Sequence, residues 1–423
     1  MPWQYAMLGI PVGSSSAFGG SAIKQPIETC TASQEPAGAA FYQGGCAAKR
    51  WARLIGIADK PRVRALPAFT IGVFPGEGIS PEVIDAALTV LEAVESVNSG
   101  VKFDVRRGGA IGNEAIRECG EPLSPQVCNF CREVFAEGGA ILAGAGGDRF
   151  VYETRRRFDL FCKLNPLVPA TVPLLAGRFR PEHVAGVDIL VVRENLGGVY
   201  QGEWSERKNR QNERVAEHRF SYSEPQIRRI LQVAAALSLE RRGELTVVVK
   251  PNGVPAISQL WIECARETAR QSSIAVRELE IDYAVFQMLQ NPKQFDVVVT
   301  SNMYGDVISD VGGVLLGSRG LCYGGNFSSS GAAVYQTNHG AAHDLAGTDR
   351  ANPIGQIYSL AMLLRESFGL ARGADLIHSA VERVWRSGAR TFDLAEAGCQ
   401  IVGTKEMGRR VAAAVVELAN GGP

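Results

Sequence analysis

Two aspartates one helical turn apart, Asp306 and Asp310, follow closely on a short apolar run, DVVVT, at residues 296–300. The run reads as a buried strand bounded by turn signals, and Asn302 with the Tyr304-Gly305 pair marks the turn after it. If a helix starts at Gly305 or Asp306, the i,i+4 spacing puts both carboxylates on one face near its N-terminus. Two like charges so placed repel unless something neutralises them. A hard divalent cation held by oxygens, Mg²⁺ or Mn²⁺, would do so. An N-cap aspartate beside a solvated one needs no cation at all. The spacing alone leaves both readings open.

Other strand–turn–helix units surround this one. FTIGVF, from Phe69, reads as a strand, PGEGISPE as a Gly/Pro turn, and VIDAALTVLEAV as an amphipathic helix capped by Ser80, with Pro81 in its first turn. A glycine-rich turn between strand and helix lets backbone N–H groups approach a phosphate or a nicotinamide cofactor. It is not GxGxxG, so as a nucleotide signal it is weak by itself. GAILAGAGG, VDILVVRENLGGVYQG and LTVVVKPNGVP repeat the pattern, the last leading into a long helix that ends near Arg270. Strands alternating with helices give an α/β fold with a mixed or parallel sheet.

The chain has 423 residues, enough for a large core and typically two domains. Its 44 basic and 44 acidic residues cancel, which removes the basic field that nucleic acid or an anionic membrane would require. No apolar run is long enough for a transmembrane helix. Nine cysteines are scattered singly apart from Cys128 and Cys131, whose CxxC lies in a helix-like segment without a second pair at zinc spacing. A structural helix face and a reducing, cytoplasmic setting are expected. Residues 1–68 are rich in Gly, Ala and Ser; up to Pro67 the acidic residues are only Glu28, Glu35 and Asp59. They read as a flexible or poorly assigned extension, with organelle import left open.

From Phe69 to about Leu418 the chain resembles the metal-dependent β-decarboxylating dehydrogenases, the isopropylmalate and isocitrate dehydrogenase family. The motifs appear in order: PGEGISPEV, RRRFDLFCKLNP, RENLGGVYQG, KPNGVP, IDYAVFQMLQNPKQFDVVVTSNMYGDVISD, HGAAHDLAGTDRANP and RTFDLAEAGCQIVGTKEMG. The resemblance implies a two-domain α/β fold with its active site in the interdomain cleft. Residues 69–160 with 316–423 would form a discontinuous nucleotide-binding domain, and 161–315 the metal, substrate and dimerisation domain.

It also implies roles. Asp306 and Asp310 would hold Mg²⁺ or Mn²⁺ with Asp282, which the family supplies from the neighbouring subunit of a homodimer. Lys250, also lent across the dimer, would take the hydroxyl proton, and Tyr200 would return a proton to the enolate left by decarboxylation. Arg155 and Arg193 would grip carboxylates. Glu77 and Ile79 of the first turn, with His339, Gly340, Asp344 and Asn352 of the nucleotide loop, would meet NAD⁺. Asp344 would accept from the free ribose 2′-hydroxyl and repel a 2′-phosphate, which favours NAD⁺ over NADP⁺. Without the resemblance, Tyr200 is an ordinary half-buried aromatic and Lys250 a snorkelling lysine. Arg155 is chosen over Arg156 and Arg157 by counting back from Pro166 without gaps. The polar segment 200–224 would be the intersubunit arm.

Departures from the family pattern concern the carboxylate pocket. Asn165 stands where relatives carry an arginine, and asparagine cannot form a bidentate ion pair. Lys163, two residues earlier on the same strand face, is expected to restore the cation. Val151, with Tyr152, would read the substituent on C3, with Arg149 and Lys163 leaving room for an extra anion. These changes suggest a malate-type 2-hydroxy acid modified for a specialised pathway. The alternatives are a housekeeping 3-isopropylmalate dehydrogenase and a catalytically silent subunit.

Overall fold

The computed structural model describes residues 51–55, 68–172, 174 and 179–421. Its frame is a ten-stranded sheet formed by β1 (Phe69–Phe74), β2 (Phe103–Arg107), β3 (Ala140–Ala143), β4 (Cys162–Leu167), β5 (Ile189–Glu194), β8 (Glu244–Val249), β9 (Ala275–Glu280), β10 (Val297–Thr300), β11 (Tyr323–Phe327) and β12 (Ala333–Thr337). The strand order is β2-β1-β3-β12-β11-β4-β5-β10-β8-β9. The outer strands on both sides run parallel, whereas β12-β11, β11-β4 and β4-β5 are antiparallel at the centre. The five strands from β2 to β11 come from residues 69–143 and 323–337, and the five from β4 to β9 from residues 162–300. The seam between these groups is the β11–β4 pair. Continuous apolar runs such as VVVT in β10 and AILA in β3 are wholly buried, as strands covered on both faces must be.

Two local expectations needed correction. Ser80 is the first helical residue of Ser80–Ser96 rather than its cap, and its Oγ accepts from the Ala145 amide at 2.9 Å. The helix carrying Asp306 and Asp310 spans Asn302–Leu316 and begins after an extended Ser301. Asp306 therefore lies in its second turn, which removes the N-cap reading. Gly305 lets this helix approach Arg193, because a Cβ there would fall 2.7 Å from Arg193 Cγ.

Residues 1–50 and 56–67 of the extension lie outside the described residues. Trp51–Leu54 form a helical turn in which Ala52 is buried and donates its amide to Glu366 Oε2 at 3.0 Å. That part of the extension is docked, not free. Cys128 and Cys131 are buried on the helix Pro125–Ala136, and burial pushes the Cys131 thiol up to about 12, as suits a packing role. β6 (Glu203–Lys208) and β7 (Arg214–Arg219) form an exposed two-stranded hairpin within the segment expected to be an arm.

Candidate active site

β4 and β5 set the centre of the site. Their register places Lys163 directly opposite Arg193, so two cations share one face of the sheet. Arg193 is buried; its Nε and Nη2 donate to Asn302 Oδ1 at 3.1 and 2.8 Å, and its Nη1 donates to Asp306 Oδ1. Tyr200 donates its hydroxyl to Asp306 Oδ2 at 3.0 Å. Arg155, from the helix Phe150–Arg157, is also buried, and its Nε and Nη1 have no hydrogen-bond partner among the described residues. A buried guanidinium with unmet donors fits an anionic ligand group. Burial, with Arg193 adding to it, pushes the Arg155 pKa down to about 9. Burial, then Arg193 and Arg155, holds Lys163 well below the usual lysine range, against the opposing pull of Asp306 and Asp310.

Asp306 answers this charge. Burial acts to raise its pKa, but Arg193, Lys163, the Tyr200 hydroxyl and Arg155 together hold it below the ordinary aspartate value. Burial and then Asp306 push Tyr200 up to about 12, so the phenol stays protonated at neutral pH. Asp310, one turn on, takes Arg319 at 2.8 Å. Both carboxylates remain partly open, with side chains 43% and 44% exposed, which suits a hard cation. Among the described residues, no group of three or more His, Cys, Asp or Glu side chains could hold a metal within one chain.

Lys250 and Asp282 are joined to each other instead. Lys250 Nζ lies 2.7 Å from Asp282 Oδ1 and 2.6 Å from Glu280 Oε2. Asp282 and Glu280 raise the Lys250 pKa. No ion pair or hydrogen bond among the described residues links this lysine or Asp282 to Asp306, Asp310 or Tyr200.

The nucleotide side is built from two loops in contact. The Ile79 amide donates to Ala341 O at 2.8 Å, and Ile79 packs with Val83, Ala351, Ala342 and Leu345. Gly78, at φ +61°, leaves no space for a Cβ, which would fall 1.9 Å from Ala341 O. Gly340 is open, with nothing within 4 Å of where a Cβ would stand, and Asp344 is exposed. His339 Nε2 and Asn338 Nδ2 are buried without partners among the described residues. Burial lowers the His339 pKa, and its Nδ1 lies 3.0 Å from Gly340 O. Open loop backbone beside unmet buried polar atoms fits a polar ligand such as a dinucleotide.

Other expected ligand groups are occupied by the protein. Glu77 accepts from the Asn113 amide, from Asn113 Nδ2 at 2.9 Å and from the Gly147 amide at 3.2 Å. Its carboxylate therefore holds two loops together. Asn352 gives Nδ2 to Asp393 at 3.0 Å, and its Oδ1 accepts from the Ile354 amide at 3.0 Å. Asn165 is fully buried, with both ends of its amide on protein partners. Val151 is half-buried beside Tyr152, whose ring centroid lies 5.3 Å from that of Tyr200. Arg149 donates to Tyr200 O at 3.1 Å, pairs with Glu153 at 3.6 Å and stands over the Trp204 ring at 4.6 Å. It is not a free cation.

Several supporting residues escaped the sequence reading. Asn302 Nδ2 donates to Asn195 O and Gly197 O, which fixes the oxygen offered to Arg193. Glu194, buried beside Arg193, accepts the Leu196 and Gly197 amides at 2.7 and 2.8 Å and thereby shapes the turn leading to Tyr200. A carboxylate ending a buried apolar strand was the available signal.

The sequence model of the family described as isocitrate/isopropylmalate dehydrogenase matches residues 70–411. The 3-isopropylmalate dehydrogenase of Geobacillus kaustophilus is 38% identical over 363 residues, covering 82% of this chain and 96% of the relative. That of Pseudomonas fluorescens is 37% identical over 360 residues, covering 82% and 98%. The crystal structure of isocitrate dehydrogenase from Methylococcus capsulatus aligns with a TM-score of 0.73 at 30% identity, covering 82% of this chain and 99% of that one. The chain belongs to the isocitrate/isopropylmalate dehydrogenase family, whose members are oxidative decarboxylating dehydrogenases.

Proposed function

We propose that this enzyme oxidises and decarboxylates 3-isopropylmalate, using NAD⁺ and Mg²⁺ or Mn²⁺. The carrying observation is the convergence of Arg155, Lys163, Arg193, Tyr200 and Asp306 at one place. The expectation of a specialised substrate rested on Arg149 and Lys163 as room for an extra anion and on Asn165 as a lost carboxylate contact. Arg149 is held by Tyr200 O and Glu153, and Asn165 is committed to the protein. What remains beside Val151 and Tyr152 favours an apolar C3 substituent, and the relatives above are named for 3-isopropylmalate.

In this reading Arg155, Lys163 and Arg193 hold the substrate carboxylates. Asp306 and Asp310 would hold the cation, which would supply Lewis-acid stabilisation of negative charge. Bound NAD⁺ would supply the hydride acceptor. Tyr200 Oη, protonated and oriented by Asp306, delivers the proton to the enolate carbon after CO₂ leaves. Lys250 and Asp282 act at the site of a second copy in a homodimer, which agrees with their separate pairing in one chain. The exposed Tyr283, Phe286, Met303 and Val307 and the unpartnered β6–β7 hairpin support such an association. The division into residues 69–160 with 316–423 and residues 161–315 follows the sorting of strands about the β11–β4 seam, with closure over the site between them. Asp344 selects NAD⁺.

Among the described residues no helix is long and apolar enough to cross a membrane. Purified protein with Mn²⁺ should turn over 3-isopropylmalate with kcat/KM in the enzyme range of about 10⁴–10⁸ M⁻¹s⁻¹ and fall silent with EDTA. Faster turnover of isocitrate, or of any substrate with NADP⁺, would overturn the assignment.

A further inference from the structure

Asn165 stands at the seam where β4 meets β11. Its Oδ1 accepts from Ser309 Oγ at 3.1 Å, and its Nδ2 donates to Asn338 Oδ1 at 2.8 Å and to Tyr323 O at 3.2 Å. Ser309 belongs to the helix that carries Asp306 and Asp310, and Asn338 directly precedes His339. The bond between the two asparagines fixes how the Asn338 amide faces. Its oxygen must point at Asn165, so its nitrogen points elsewhere. That nitrogen is buried and has no hydrogen-bond partner among the described residues. The Asn338 backbone is held as well, through its amide on Cys322 O at 3.2 Å. Native proteins leave few buried amide donors unmet, because an unpaired donor has lost water and gained nothing. The unmet atom opens the same loop as His339 Nε2, at the face assigned above to the dinucleotide.

We propose that Asn338 Nδ2 donates a hydrogen bond to an acceptor atom of the bound dinucleotide, and that Asn165 is the positioning residue that orients it. This rests on the NAD⁺ reading given above. It assigns Asn165 a purpose other than carboxylate binding. The amide that replaces the family's arginine steers the nucleotide loop, while Lys163 stands opposite Arg193 on the neighbouring strand.

The test is calorimetric titration of NAD⁺ into the full chain with Mn²⁺ and no substrate. Asn338→Asp keeps the shape and replaces the donor with an acceptor; Asn338→Leu removes both functions. Each should weaken NAD⁺ binding by about two- to tenfold, the range of a single hydrogen bond. Binding of 3-isopropylmalate to the same variants should change less than twofold. Asn165→Leu should weaken NAD⁺ binding as well, and combined with Asn338→Leu it should add nothing, because the two act as a unit. Thermal melts identify any variant that fails to fold, and Asn338→Ser then serves in its place. NAD⁺ affinity unchanged in the folded Asn338 variants, or additive losses in the double variant, would overturn the proposal. Wild-type protein that binds Mn²⁺ and 3-isopropylmalate but no NAD⁺ would overturn the cofactor reading beneath it.

Discussion

The hydroxyl of Tyr200 lies 3.0 Å from Asp306 Oδ2, so the proposed proton donor and a proposed metal ligand form one hydrogen-bonded unit. The other oxygen of Asp306 takes Arg193. One carboxylate thus orients both the acid and a cation assigned to the substrate, with charge that a metal would share. Removing the phenol should affect chemistry more than binding. Tyr200→Phe is expected to lower kcat by about 10²–10⁴-fold, the usual contribution of a general acid, with substrate KM nearly unchanged. A loss confined to KM, read from steady-state kinetics, would remove Tyr200 from the proton-transfer role.

Arg193 is aimed by Asn302, which receives both Nε and Nη2 on a single oxygen. Asn302→Ala leaves the guanidinium buried without that acceptor. It should cost about 1–3 kcal/mol of stability, as stranded buried donors do. It should also lower kcat/KM for the hydroxy acid by about 10–100-fold through misplacement of Arg193. NAD⁺ binding should hold steady. Denaturant melts and kinetics on one preparation check both, and a variant as active as wild type would show that Arg193 needs no such guide.

Asn165 shows where sequence reasoning stops. By sequence, Asn165 is a lost carboxylate contact where relatives carry an arginine. In the structure Asn165 is fully buried, and β11 passes so close that a Cβ on Gly324 would fall 2.3 Å from its Nδ2. A guanidinium there must displace the strand. Asn165→Arg is therefore expected to destabilise the protein by about 1–3 kcal/mol, as overpacking does, without a gain in turnover. A shift in urea midpoint measures the first, and a rise in kcat/KM on 3-isopropylmalate would contradict the second.

The contrast is instructive because the legible parts share a property. Asp306 with Asp310, and Lys163 with Asn165, are related by local period. The helix and strand that carry them were readable from apolar runs and turn residues. The same holds for the alternation of strands and helices that gave the α/β class. Asn165 with Asn338 and Arg193 with Asn302 are pairings across 173 and 109 residues, set by strand order and side-chain packing. No single-chain period encodes them. The ion pairs of Lys250 were not legible for a related reason, since Glu280 and Asp282 arrive from the next strand and helix.

Glu77 carries the last prediction, which is a pH dependence. Burial acts to raise its pKa, but hydrogen bonds from Asn113, Gly147 and the Glu114 amide outweigh it, so the folded value lies below the ordinary glutamate value. For a carboxylate with a depressed folded pKa, the stabilisation is fully present above the unfolded pKa, near about 4.3. It is lost as pH falls through the folded value. Glu77→Gln offers an amide nitrogen where a donor already points, since the Asn113 amide, Asn113 Nδ2 and the Gly147 amide share the two carboxylate oxygens. At neutral pH the variant should be less stable by about 1–3 kcal/mol, and the loops joined at residues 77, 113 and 147 should loosen. As pH falls through the depressed folded value and wild-type Glu77 itself becomes protonated, the difference should shrink. Urea melts of both proteins at several pH values measure it. A difference that is the same at acid and neutral pH would mean that the charge of Glu77 contributes nothing and only its shape matters.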